Sequence, residues 1–214
     1  MRTASFACVL ALSASSAMAS VTNGGFELGT GDNADNWNQL EIMAGTLGAT
    51  ANADRSNANP HSGDYAMDLS VLGAPDYGPV AEIQQQLAVG SVIGGQSYDF
   101  SFWGTGNLGP GSVAFYEVLW FDGDASDGGG PQGSATGLQS FALSNTYAEY
   151  AMTGLIAPTT ADTVLIQIRL VTGAFDGAIG NMTVDDVTFS AVPTPASAVL
   201  FGLGGFVATR RRRA

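Results

Sequence analysis

Between residues 20 and 190 short runs of β-prone residues recur, several of them alternating apolar and polar positions, and no long helix-period segment interrupts them. Clusters of Gly, Asn, Asp and Ser separate the runs. The runs predict strands over 21–28, 37–43, 65–71, 80–89, 96–103, 112–122, 139–153, 162–172 and 181–190, the seventh open to a break at Ser144-Asn145. Strands at that density, joined by long polar loops, predict an all-β fold, an antiparallel β-sandwich or jelly roll. The longest loop falls at 123–138, around Asp127-Gly128-Gly129-Gly130-Pro131.

Alternation assigns faces. In 96–103, Tyr98, Phe100 and Phe102 share one face and are expected in the core. Ser97, Asp99, Ser101 and Trp103 share the other, which puts Trp103 on a polar face. In 163–171 the core set is Val164, Ile166, Ile168 and Leu170; Gln167 and Arg169 point the opposite way. Strand 112–122 is apolar on both faces, with Phe115, Glu117, Leu119 and Phe121 on one and Tyr116, Val118 and Trp120 on the other. Periodicity leaves that strand open: it is either central in a covered sheet or lines a ligand face.

Composition narrows the function. The 214 residues are 45% hydrophobic and 12% charged, with 29 Gly and no Lys. Residues 1–19 read as a signal peptide: Arg2, an apolar run from Ala4 to Leu12, and an A-x-A site at Ala17-Met18-Ala19. Cys8 lies inside it, so an exported mature chain has no disulfide and relies on its core and any bound ion. The span 20–191 carries only Arg55 and Arg169 against all 19 carboxylates, a net charge of −17. That excludes a basic footprint for nucleic acid and argues against peripheral docking on anionic lipid. It suits cations or neutral sugars as partners.

The C-terminal segment 191–214 has three parts. Val192-Pro193-Thr194-Pro195 leads into an apolar stretch, Ala196 to Thr209, and then into Arg210, Arg211, Arg212 and Arg213. Fourteen residues rise about 21 Å as a helix, a short hydrophobic helix against a hydrocarbon core of about 30 Å. Four Arg beyond it would hold the C-terminus in the cytoplasm. A weak tail anchor is one reading. The layout resembles the PEP-CTERM sorting signal of Gram-negative bacteria, with Thr194 where that motif has Glu. The resemblance implies an exosortase-type membrane protease as partner, transient anchoring through the membrane helix, tail removal, and delivery to the cell surface or exopolysaccharide matrix.

Within 20–190 a set of motifs follows in order: Asn23-Gly24-Gly25-Phe26-Glu27, Trp37, His61-Ser62-Gly63-Asp64-Tyr65-Ala66-Met67, Tyr98-Asp99-Phe100-Ser101-Phe102-Trp103, Tyr147-Ala148-Glu149-Tyr150, Thr153-Gly154, Ala157-Pro158 and Val184-Asp185-Asp186-Val187. The ordered set resembles carbohydrate-binding jelly rolls with a galactose-binding-like fold, close to family 4/9 and 22 modules. The resemblance implies polysaccharide as partner and a structural Ca²⁺ as cofactor, held by Glu27 and Asp185 with the Gly25 carbonyl. An ion between first and last strands would tie the chain ends together; the alternative is that both carboxylates are merely solvated. The acidic run Asp122 to Gly128 lacks EF-hand spacing and reads as a solvated loop.

For a sugar site, flat aromatic faces pack on apolar sugar faces while carboxylates, amides and guanidinium groups bond hydroxyls. Trp103 with Asp99, Gln167 and Arg169 forms the best constellation, joined by Tyr116 and Trp120 if strand 112–122 turns that face outward. A partly buried sandwich residue is the competing reading of Trp103, and Trp37 is expected in the core. Catalytic residues are not indicated. His61 is the sole histidine, too few for a zinc site, and no G-x-S-x-G elbow supports a triad. The expectation is an exported, non-enzymatic glycan binder. The alternatives are a matrix or adhesion protein without a sugar site, and a polysaccharide-degrading enzyme using two carboxyl groups.

Overall fold

The computed structural model describes residues 19–193, apart from 43, 45 and 46. Residues 1–18 of the expected signal segment 1–19, and the tail from 194 onward, with Pro195 and Arg210 to Arg213, lie outside the described residues. Among the described residues no helix is long and apolar enough to cross a membrane.

The chain is an all-β antiparallel sandwich of jelly-roll type. In chain order the strands are β1 (Gly29–Thr30), β2 (Asn33–Ala34), β3 (Asn38–Ile42), β4 (Thr50–Ser56), β5 (Ala66–Leu72), β6 (Val80–Gln86), β7 (Ser97–Leu108), β8 (Ser112–Asp122), β9 (Gly130–Ser134), β10 (Gln139–Phe141), β11 (Ala148–Ile156), β12 (Thr163–Thr172) and β13 (Ile179–Ala191). One sheet runs β11-β7-β13-β5-β4. The other runs β10-β8-β12-β6-β3, with β9 also paired to β8. β1 and β2 form a small separate hairpin.

The inner faces make one core, as period-two burial requires. Tyr98, Phe100 and Phe102 from β7 meet Tyr116 and Trp120 from β8, with ring centroids 5.6 Å apart for Tyr98–Trp120, Phe100–Tyr116 and Phe102–Tyr116. Val164, Ile166, Ile168 and Leu170 are fully buried. Trp37 is also core, and its indole N–H donates to the Asn23 carbonyl.

Several expectations are corrected. Residues 21–28 do not form a strand, because Asn23 and Phe26 take positive φ of 55° and 56° and fold the segment into a turn. It still lies beside the last strand: Ser20 bridges Ser190, and Val187 N donates to Gly24 O. β4 was not expected. Its Thr-Ala-Asn-Ala-Asp-Arg-Ser sequence reads as loop, yet Ala51, Ala53 and Arg55 turn inward. The loop 123–138 contains β9 and a single 3₁₀ turn at Ala125–Asp127. The 139–153 run breaks around Ser144-Asn145 into β10 and β11.

Candidate functional site

The structure separates the expected sugar constellation. Asp99 and Trp103 lie on β7 and point away from the core on the outer face of the five-stranded sheet. Gln167 and Arg169 lie on β12 and point outward from the other sheet. Tyr116 and Trp120 join neither, because β8 turns that side inward and buries both. An alternating pattern shows that a side chain leaves the core; it does not show from which sheet.

On the outer face of the six-stranded sheet, register brings two neighbouring rows across the strands. One is Asn38, Gln84, Gln167 and Glu117; the next is Leu40, Glu82, Arg169 and Phe115. Their polar members form one network. Gln167 Nε2 donates to Glu82 Oε1 at 3.0 Å and to Gln84 Oε1 at 2.9 Å. Arg169 donates to Gln167 Oε1. Arg169 Nε lies 3.1 Å from Glu82 Oε2, within ion-pair distance but out of line for a hydrogen bond. Glu82 and Gln167 are only 4% and 8% exposed, so the network is embedded rather than splayed into solvent. Burial raises the Glu82 carboxyl above its ordinary range, and the Arg169 charge only partly offsets this. Half-buried Phe115, Leu119, Leu165 and Val171 flank the network. Glu82 and Gln84 were missed from sequence, although the spacing Glu82-x-Gln84-x-Gln86 is a legible one-face signal.

The opposite outer face carries a different cluster. The ring of His61 stacks on Trp103, centroids 4.1 Å apart and planes 13° from parallel. Tyr147 packs beside His61 at 4.9 Å and donates to Asn59 O. Burial, with the Asp185 charge next, pushes the Tyr147 phenol well up. Asp99 accepts from Gly154 N at 2.9 Å.

Under this cluster lies a turn, 61–65, held by two carboxylates. Asp185 Oδ2 accepts from His61 N at 2.8 Å and Ser62 N at 3.0 Å; its Oδ1 accepts from Asp186 N. Glu27 Oε1 accepts from Asp64 N at 2.9 Å and Tyr65 N at 3.2 Å. A β-bulge in β13 between Asp185 and Thr188 positions the first of these. Asp186 takes φ 49° there, so Asp185 is fully buried while Asp186 faces out to His61 Nδ1 and Ser62 Oγ. Arg55 positions the second. It donates to Phe26 O and Glu27 O, and its guanidinium lies 3.3 Å from the centroid of the Tyr65 ring.

The Asp185 carboxyl is raised above its ordinary range, by burial first; the Asp186 charge adds to this while amide bonds from Ser62, Asp186 and His61 oppose it. A Cβ on Gly25 would stand 3.5 Å from Asp186 Oδ1 and 3.8 Å from Asp185 Oδ1, so Gly25 lies against both acids. Among the described residues no three acidic, histidine or cysteine side chains converge on one point. A cation here would draw on Glu27, Asp185 and backbone carbonyls, an all-oxygen donor set that fits Ca²⁺ rather than a softer metal.

No protein-family model matches the chain, and no curated protein matches it. Solved structures do. The enzymatically active domain of tailspike protein 4 from bacteriophage CBA120 aligns at 17% identity and TM-score 0.58 over 80% of this chain. The chain spans 21% of the length of that protein, and the likeness establishes a shared fold. A family 61 carbohydrate-binding module in complex with β-1,4-galactotriose aligns at 18% identity and TM-score 0.49, over 80% of this chain and 97% of the module. A family 11 carbohydrate-binding module of a Clostridium thermocellum cellulosomal cellulase aligns at 14% identity and TM-score 0.49, over 83% and 97%. The structural neighbours thus include carbohydrate-binding modules in jelly-roll folds.

Proposed function

We propose that the chain is an exported, non-enzymatic jelly roll that binds a neutral polysaccharide across the outer face of its six-stranded sheet. The observation that carries this reading is the network of Glu82, Gln84, Gln167 and Arg169. Its groups hold one another in place, so a sugar ring meets oriented donors and acceptors without having to order them first. Phe115, Leu119, Leu165 and Val171 supply apolar surface on either side for the less polar ring faces. The rows run across the strands, so a linear chain would lie across them too. In this reading Ca²⁺ is structural: Glu27, Asp185 and the Gly25 carbonyl hold it beside the 61–65 turn, away from the sugar. The C-terminal segment serves for sorting and transient membrane anchoring, and the destination is the cell surface or exopolysaccharide matrix.

The test is binding of the purified protein to a panel of soluble polysaccharides by affinity electrophoresis and calorimetry, with calcium and with chelator. Saturable binding to one glycan class, weakened at least tenfold by Gln84→Ala and unchanged by Trp103→Ala, supports the face. Loss on Trp103→Ala instead moves the site to the other sheet. A second reading, a matrix protein with no sugar site, is favoured by one observation: Trp37 and Trp120 are buried and Trp103 is covered by His61. No binding to any glycan by the folded protein would establish that reading.

A further inference from the structure

The Ser91 hydroxyl is buried and has no partner. The residue is 6% exposed, and among the described residues its Oγ makes no hydrogen bond. A buried hydroxyl left unbonded costs free energy. The backbone holds it in place nonetheless. Ser91 N donates to Ala88 O across a turn that Gly90 closes at φ 81°, and Gly90 N and Val92 N both donate to Asp162 O. Ser91 is therefore a fixed point with an unused donor and acceptor.

Ser91 lines a cavity of about 350 Å³ at the end of β6, near the lower bound of roughly 300–1,000 Å³ for small-molecule sites. The floor is Gln85, Leu87 and Ser91, all buried. Ser20, Thr22 and Asn36 stand exposed at the rim. Gln85 ties floor to rim: it accepts from Thr22 N at 2.8 Å and donates to Thr22 O and Asn36 O, both at 2.9 Å. Gln86 ties the wall to the next loop by accepting from Ala125 N. These bonds set the walls before a ligand arrives.

The lining restricts what fits. None of its side chains is charged, so an ionic ligand would lose hydration without gaining a counter-charge. None is aromatic, so a flat aromatic ligand has nothing to stack on. Acids of the adjoining loops are turned to backbone amides: the Asp162 carboxylate accepts from Gly123 N and that of Asp124 from Ser126 N. Hydroxyls and amides remain, with Leu87 as an apolar patch. That set matches a neutral polyhydroxyl ring, whose hydroxyls both donate and accept, as a serine hydroxyl does. We propose that this cavity binds one neutral sugar residue, with the Ser91 hydroxyl as its buried polar contact. The site goes beyond the outer-face reading and does not depend on it. Gln86 follows Gln84 by two residues, about 7 Å along the strand, and the cavity takes a single ring rather than a chain. If the signal is cut after Ala19, the new amino group of Ser20 adds a donor at the rim.

The test uses the full chain, kept soluble in a detergent without a sugar headgroup. D-glucose, D-galactose, D-mannose and D-xylose are titrated by saturation-transfer difference NMR, beside glucuronate and glucosamine. The expected result is saturable binding of at least one neutral sugar in the millimolar range, the scale for so small a ligand. Ser91→Ala weakens it at least fivefold. Its melting temperature holds or rises, because the substitution deletes a buried hydroxyl with no bond to lose. Ala88→Phe, made at an exposed position of the lining, abolishes binding by filling the mouth. No binding of any neutral sugar overturns the proposal, and so does binding that Ser91→Ala leaves unchanged. Tighter binding of glucuronate or glucosamine overturns the neutral class. A lower melting temperature for Ser91→Ala means that the hydroxyl serves the fold, and also overturns it. Loss on Gln84→Ala but not on Ser91→Ala places the sugar on the outer face instead of in the cavity.

Discussion

Glu27 and Asp185 come from opposite ends of the domain and hold opposite ends of one turn: Asp185 takes the amides of His61 and Ser62, and Glu27 those of Asp64 and Tyr65. Chain closure here depends on carboxylate-to-amide bonds rather than on a disulfide. The described residues contain no cysteine, so no disulfide shares that task.

Asp185→Ala is expected to lower stability by about 2 kcal/mol, because it removes a buried carboxylate that accepts from the part-buried amides of His61 and Ser62. Urea unfolding followed by tryptophan fluorescence measures it. A loss below about 1 kcal/mol would mean that water replaces the carboxylate there.

If calcium sits at this turn, chelation lowers the melting temperature of the parent protein, and Glu27→Gln removes most of that sensitivity. Differential scanning calorimetry with and without chelator decides it. An unchanged melting temperature would sink the calcium reading while leaving the amide bonds intact.

Gly63→Ala is expected to destabilise by about 2 kcal/mol. Gly63 has φ +61°, a conformation that costs an L-residue roughly 1–2 kcal/mol. Its Cβ would also stand 2.0 Å from Glu27 Oε1, forcing that carboxylate off the turn. Gly177→Ala, at φ +83° with open space around it, serves as the control for backbone strain alone.

The pH dependence follows from Glu82, whose carboxyl is raised mainly by burial. The folded state then holds its proton more tightly than the unfolded chain. Stability from this group is fully present below the ordinary carboxylate range, and it is lost as pH rises through the raised value. Glu82→Gln should flatten the fall of melting temperature with pH across the mildly acidic range. A slope identical to the parent's would show that the Arg169 charge cancels the burial cost.

Trp120→Ala should cost about 3–5 kcal/mol as a buried aromatic truncation. Trp103→Ala should cost nearer 1 kcal/mol, the scale of one aromatic stack, because its main partner is the half-exposed ring of His61. Paired chemical denaturation separates the two tryptophans, and equal losses would contradict the burial difference.

Some of this was determined by sequence alone. Tyr98, Phe100 and Phe102 on one side of β7, and Val164 to Leu170 on alternate positions of β12, follow from a two-residue repeat that needs no partner to be read. The all-β class followed from the same local signal. β4 escaped it because its inward residues are two alanines and an arginine, and the arginine is buried only by bonding Phe26 O and Glu27 O from a distant segment. The face of β8 escaped because both its sides are apolar; pairing with β12 and contact with the β7 aromatics decided which went inside. The split of Trp103 from Gln167 and Arg169 was beyond any local pattern. Alternation is a property of one strand, whereas the assignment of strands to two sheets, and so of side chains to two opposite outer faces, is set only when the strands pair and the sheets pack.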